Sequence, residues 1–219
     1  MKRCLAALFD LDGVLVDTAR YHYQAWKEIA KEYGFDFTEE QNELLKGVSR
    51  SAALDILLDL GNLTVLPEKK PAILEKKNNL YLQLIEHLAP SDILKGVLPV
   101  LHYLQDLQIP IVLGSASKNA RGILQRLGLI PFFTAIIDGT NVTKAKPDPE
   151  VFLAGAKACG IEPFRCVVFE DSVAGIQAAK LGGMIAVGIG NQDTLCSADF
   201  VVDTLDDERV YALFSKTAR

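Results

Sequence analysis

The chain has 219 residues, of which 49% are hydrophobic and 23% charged, and its net charge is −5. This is the composition of a globular protein, long enough for one large core or for a core with a smaller insert. The acidic balance gives no general reason to bind nucleic acid or an anionic membrane, so any anion must be held by local clusters. Cys4, Cys159, Cys166 and Cys196 show no CxxC spacing and read as free thiols of a reducing compartment. The start, Met1-Lys2-Arg3 and an apolar run, faintly imitates a signal peptide, but Asp10 and Asp12 interrupt it. No run approaches the ~20 apolar residues of a membrane span. The expectation is a cytoplasmic monomer with no membrane or nucleic-acid partner.

Residues 4–9 form a short apolar run that reads as a buried strand. A helix follows over about 17–33, with Ala25, Trp26, Ile29 and Ala30 as its apolar stripe and Gly34 as its stop. From there to about residue 90 the pattern is helical throughout, over 38–46, 50–60 and about 71–88, with Thr38 as an N-cap. After residue 95 strands and helices alternate. Helices are predicted over 97–107, 118–127, 149–159, 173–181 and about 208–215. Short apolar runs, read as strands, fall at 109–113, 135–137, 166–169, 184–187 and 200–202. Alternation of this kind predicts a parallel sheet covered on both faces, a Rossmann-like three-layer α/β core. The first strand belongs to it, so the core is expected over 1–16 and 94–219, interrupted by an all-helical cap over 17–93.

In open α/β sheets, sites form beyond the carboxyl ends of the strands. Four loops there carry chemistry: Asp10-Leu11-Asp12-Gly13, Gly114-Ser115-Ala116-Ser117-Lys118-Asn119, Lys144-Ala145-Lys146-Pro147-Asp148, and Glu170-Asp171-Ser172. Acids from separate strand ends can hold Mg²⁺, and a metal offsets the repulsion between a carboxylate nucleophile and an anionic phosphate. Lys146 and Ser115 can take the remaining phosphate oxygens. Asp10 and Asp12, two residues apart in extended chain, point the same way. Ser117-Lys118-Asn119 opens a helix, where free N–H groups favour anions. Asp148 precedes a proline that suits a first helical turn and is read as a cap outside the site, and Lys144 as solvated. In the insert, Thr18, His22 and Trp26 recur every four residues along one helical face. Gly47 breaks the chain between two insert helices, leaving Lys46, Ser49 and Arg50 at the tip, and Arg50 can grip a phosphate bidentately. Lys77 sits in a charged "EKKNN" run, where a solvated lysine is an equal reading.

The order "DLDG", "GSAS", "KPDP", "ED" resembles the haloacid dehalogenase superfamily of phosphotransferases. "DTARYHYQAW", "LKGVSR", "SASKN" and "FEDSVAGIQAAK" resemble its β-phosphoglucomutase-like branch over nearly the whole chain. The resemblance implies Asp10 as a nucleophile carrying an aspartyl phosphate and Asp12 as general acid/base. It implies Mg²⁺ held by Asp10, the Asp12 carbonyl, Glu170 and Asp171, with Lys146 on the transferring phosphate. Ser117, Lys118 and Asn119 would hold a second phosphate. Thr18, His22, Trp26, Lys46, Gly47, Ser49, Arg50 and Lys77, with Ser115 and Ala116, would contact a sugar phosphate. The implied activity is interconversion of β-D-glucose 1-phosphate and glucose 6-phosphate through a sugar 1,6-bisphosphate. The alternative is a Mg²⁺-dependent phosphatase for a sugar phosphate or related small metabolite on the same scaffold, which needs the same core residues. A catalytically dead binding module would be free to lose Asp10 or Asp12, and both are present.

Overall fold

The computed structural model describes residues 4–215. Its centre is a six-stranded sheet of β1 (Ala6–Phe9), β2 (Ile111–Gly114), β3 (Ala135–Ile137), β4 (Cys166–Glu170), β5 (Ile185–Ile189) and β6 (Phe200–Val202). The spatial order is β3-β2-β1-β4-β5-β6, with every neighbouring pair parallel. β1 lies in the middle, with Phe9 opposite Leu113 on one side and Phe169 on the other.

The central strands are apolar up to the acid Glu170 that ends β4, because both faces are covered. Side chains alternate between two clusters. Ala7, Phe9, Leu113 and Phe169 face one layer, with helices α5 (Val97–Asp106), α6 (Ala120–Arg126) and α9 (Glu208–Ala212). Ala6, Leu8, Val112 and Val168 face the other, with α7 (Glu150–Cys159) and α8 (Val173–Leu181). This is the expected three-layer core.

Between β1 and α5 come α1 (Ala19–Glu32), α2 (Glu39–Asn42), α3 (Arg50–Leu60) and α4 (Lys70–Ile85). They close around their own apolar cluster of Trp26, Ile29, Phe37, Leu54, Leu57 and Ile73, forming the helical cap. The two connecting segments pair with each other. Val16 and Ile93 form an antiparallel bridge, Asp17 N–H donates to Asp92 O at 2.9 Å, and Leu94 N–H donates to Leu15 O at 3.0 Å. That pairing holds Asp17 outside the helix, so α1 starts at Ala19 rather than at 17.

Other boundaries also differ from the sequence expectation, two of them near the site. The single helix expected over 38–46 is a capped turn, α2, followed by a 3₁₀ turn at Glu43–Leu45. Thr38 and Gln41 form a capping box, and the tighter second turn buries Leu45 in the cap cluster while Lys46 leaves in extended conformation toward the core. α6 begins at Ala120 rather than 118, because the N–H groups of Ser117 and Asn119 are taken by serine side chains. Among the described residues no helix is long and apolar enough to cross a membrane.

Candidate active site

The four loops read from the sequence converge at the carboxyl edge of the sheet. Asp10 leaves β1 with its N–H donated to Phe169 O at 3.0 Å, which fixes it beside the end of β4. Glu170 is the last residue of β4 and Asp171 the next. Lys146 reaches in from the loop after β3, its Nζ 2.5 Å from Asp10 Oδ1 and 2.5 Å from Glu170 Oε1. Glu170 Oε2 also accepts from the N–H and hydroxyl of Ser172, at 2.9 and 2.8 Å. Oxygens of Asp10, Glu170 and Asp171 lie within 4.8 Å of one another.

Burial dominates the electrostatics of this corner. It raises the Asp10 pKa well above the carboxylate range, with Lys146 opposing and Glu170, Asp12 and Asp171 adding. It raises Asp171 to about 7, with Glu170 the next cause. Burial works against the charge of Lys146, yet Asp10 and Glu170 outweigh it and its pKa rises. A cluster of three carboxylates against one firmly held ammonium suits a hard divalent cation with oxygen ligands. The chain leaves room for Asp171 by placing Gly13 beside it. Gly13 has φ +82°, and a Cβ there would lie 2.1 Å from Asp171 Oδ2.

The cap supplies the opposite wall. The buried Thr18 hydroxyl donates to Asp12 Oδ1, and His22 Nε2 is 3.7 Å from that oxygen. Lys77 Nζ is 2.8 Å from His22 Nδ1 and lies over the rings of Trp26 (4.9 Å) and Tyr81 (4.8 Å). Burial, then Lys77 and Arg50, push the His22 pKa well down. The imidazole is therefore neutral, accepts from Lys77 at Nδ1, and carries its proton on Nε2, facing Asp12. Burial, reinforced by Arg50, lowers Lys77 to about 7. Lys77 is 1% exposed, so the solvated alternative for this residue does not hold.

Lys46 Nζ is 3.0 Å from Glu43 and 3.6 Å from Asp171, tying the cap loop to the acids. Gly47 has φ +74°, and a Cβ there would be 2.2 Å from Ser172 Oγ, so only glycine lets this tip seat against the start of α8. The cleft between cap and core is lined by Asp10, Asp12, His22, Trp26, Lys46 and Arg50, with Lys77, Ala116, Ser117 and Asp171 completing its polar wall. Arg50 is half-buried, and among the described residues its guanidinium has no ion pair; burial lowers its pKa. Arg50 also lines an adjoining depression with Ser49, Ala116 and the exposed Lys118.

Some expected contacts are engaged within the protein. Ser49 Oγ caps α3 by accepting from Ala52 N–H at 3.2 Å, and it lines the adjoining depression rather than the main cleft. Ser115 Oγ accepts from Ser117 N–H at 3.1 Å, and Ser117 Oγ from Asn119 N–H at 3.2 Å. Asp148 accepts from Glu150 N–H at 3.0 Å and pairs with Lys144 at 3.3 Å, while the N-cap position of α7 falls to Pro149 rather than to Asp148. Sequence reasoning missed Asn42, Leu45 and Val48 in the cleft wall, and Tyr81 beneath His22 and Lys77. Tyr81 had a signal: it follows Lys77 by four residues and so shares its helical face.

A family profile for haloacid dehalogenase-like hydrolases matches residues 5–183. The chain belongs to this family. It is 42% identical over 204 residues to β-phosphoglucomutase from Bacillus subtilis (strain 168), covering 92% of this chain and 90% of that one. A crystal structure of β-phosphoglucomutase from Clostridium difficile superposes with a TM-score of 0.90 at 40% identity, covering 96% of this chain and 97% of that one. A phosphorylated carbohydrates phosphatase from Thermotoga maritima is 30% identical over 182 residues, covering 82% of each chain.

Proposed function

We propose that this chain is a phosphosugar mutase that interconverts β-D-glucose 1-phosphate and D-glucose 6-phosphate. The observation that carries the proposal is the presence of two separate groups of candidate anion-holding residues, one at the acids and one in the cleft and its adjoining depression. Lys146 lies beside Asp10, while Arg50, which has no ion pair among the described residues, and Ser117 line the cleft, with Lys118 in the adjoining depression. A phosphatase has use for one phosphate position; a mutase working through a 1,6-bisphosphate needs two, because each phosphate must fit either place. The relatives named β-phosphoglucomutase support the same choice over the phosphatase alternative.

Asp10 is assigned as nucleophile. Lys146 holds one of its oxygens, leaving the other for phosphorus. Attack forms the aspartyl phosphate and breaks the bond to the sugar oxygen, which Asp12 protonates. In the other half-reaction Asp12 takes the proton of the 6-hydroxyl of β-glucose 1-phosphate, which attacks the aspartyl phosphate, forming the 1,6-bisphosphate and freeing Asp10; the bisphosphate turns round, and Asp10 takes its 1-phosphate to release glucose 6-phosphate. Thr18 holds Asp12 in place through its hydroxyl. Mg²⁺, held by Asp10, the Asp12 carbonyl, Glu170 and Asp171, would neutralise charge between the nucleophile and the phosphate. The cap, taken as 17–93 on a core of 1–16 and 94–219, excludes water that would hydrolyse the aspartyl phosphate. The enzyme is a transient phosphoprotein of carbohydrate metabolism, assigned as a cytoplasmic monomer with no nucleic-acid or membrane partner.

The test compares Arg50→Ala with wild type in two assays. Wild type should isomerise β-glucose 1-phosphate in the presence of Mg²⁺ and a trace of bisphosphate. Arg50→Ala should lose at least about tenfold more isomerisation than hydrolysis of a small aryl phosphate, since a bidentate guanidinium–phosphate contact exceeds about 1.4 kcal/mol. Equal loss of both activities would reject the second phosphate position.

A further inference from the structure

One hydrogen bond across the cap–core seam has no part in the site as described. Asn119 Nδ2 donates to Asn78 Oδ1 at 3.0 Å. Asn78 lies on α4, in the cap, directly after Lys77, and is partly buried. Asn119 precedes α6, in the core. The bond ends a chain of contacts that starts at the buried Ser115: Ser117 N–H to Ser115 Oγ, Asn119 N–H to Ser117 Oγ, then Asn119 to Asn78. Every link of the core loop is thus fixed by the one before it, and the last is fixed by the cap.

From this geometry we propose that Asn78 is a positioning residue that couples cap closure to the second-phosphate loop, so that the phosphate seat around Ser117 and Asn119 is completed only when the cap is down. The proposal rests on the mutase reading. An amide has two N–H groups. Asn78 occupies one of those of Asn119 and turns the side chain so that the other is held in a single direction. With the cap raised, Asn78 leaves with α4, and the Asn119 carboxamide is free to rotate. The contact is neutral, so its strength does not depend on the charge of the arriving phosphate. The neighbouring residues divide the work: Lys77 and Arg50 supply charge, and Asn78 supplies orientation. A bisphosphate bound by the loop favours the closed cap, and a closed cap favours the bisphosphate, as linkage requires.

The experiment uses the full-length protein with Asn78→Ala, Asn119→Ala and the double variant. Alanine at an intermediate helical position keeps the helix, and thermal melting checks that each variant is folded. Two rates are compared: isomerisation of β-glucose 1-phosphate with trace glucose 1,6-bisphosphate, and hydrolysis of a small aryl phosphate as reference. The expected result for Asn78→Ala is an isomerisation kcat/KM about tenfold lower relative to the reference, carried mainly by a higher KM for the bisphosphate. A larger fraction of phosphoryl groups should also pass to water. The double variant should lose no more than the worse single variant. Equal falls in both rates, no fall in isomerisation, or fully additive losses would overturn the proposal. A wild type that hydrolyses but never isomerises would instead overturn the mutase reading, which keeps the two failures apart.

Discussion

Lys77 is expected to cost the free protein stability, and Lys77→Met tests this. Its ammonium is 1% exposed, lies between two aromatic rings and touches a neutral imidazole. Burial and Arg50 lower its pKa from 10.5 to about 7. At about 1.4 kcal/mol per unit, that shift costs on the order of 4 kcal/mol near neutral pH. Methionine fills a similar volume without charge, and losing the contact to His22 Nδ1 returns about 1 kcal/mol. Removing the charge wins, by about 3 kcal/mol, which corresponds to a Tm roughly 6–12 °C higher. The sign with pH follows from the depressed pKa. The penalty is full below about pH 7, shrinks as pH rises, and vanishes above the unfolded value of 10.5. Thermal melts of both proteins at several pH values between 7 and 10 should therefore show a gap that narrows upward. The variant should also lose isomerase activity. A variant no more stable than wild type at pH 7, or a gap that widens with pH, would refute the reasoning.

Two further outcomes concern the metal. Asp171, raised to about 7 by burial and Glu170, must be ionised to ligate. Mg²⁺ affinity measured by calorimetry should therefore increase as pH rises through about 7 and level off above it; an affinity flat from pH 6 to 8 would contradict this. Gly13→Ala places a methyl 2.1 Å from Asp171 Oδ2 at a backbone φ of +82°. It should weaken Mg²⁺ binding about tenfold or more while the circular dichroism spectrum stays that of a folded protein.

Much of this molecule is written locally. The central strands are short apolar runs that end abruptly in chemistry, and "FDLDG" states that pattern in five residues. Asp10, Lys146, Glu170 and Asp171 could be brought to one edge from the alternation of strands and helices alone, because a parallel sheet sends every strand's carboxyl end the same way. What was not legible depends on packing between distant segments. "EKKNN" reads as a solvated run, and Lys77 is buried only because α4 lies against α1, which brings Trp26 and His22 beside it. Asn78 has no local signal at all; its partner is 41 residues away, across the seam. The break at Glu43 was hidden because 38–46 is helix-compatible throughout, and the need to bury Leu45 and free Lys46 is a tertiary one. Ser49 shows the reverse. Its position at the loop tip suggested a phosphate contact, and the cap role its hydroxyl oxygen takes for α3, accepting from Ala52 N–H, was not read from the sequence.

The central claim is that a phosphoryl group leaves one sugar oxygen and returns to another on the same kind of sugar. ³¹P NMR follows this directly in one tube containing the protein, β-glucose 1-phosphate, Mg²⁺ and a trace of glucose 1,6-bisphosphate. The account predicts that the glucose 1-phosphate signal declines as the glucose 6-phosphate signal grows, with bisphosphate persisting and Asp10→Asn inert. Inorganic phosphate accumulating without glucose 6-phosphate would contradict it.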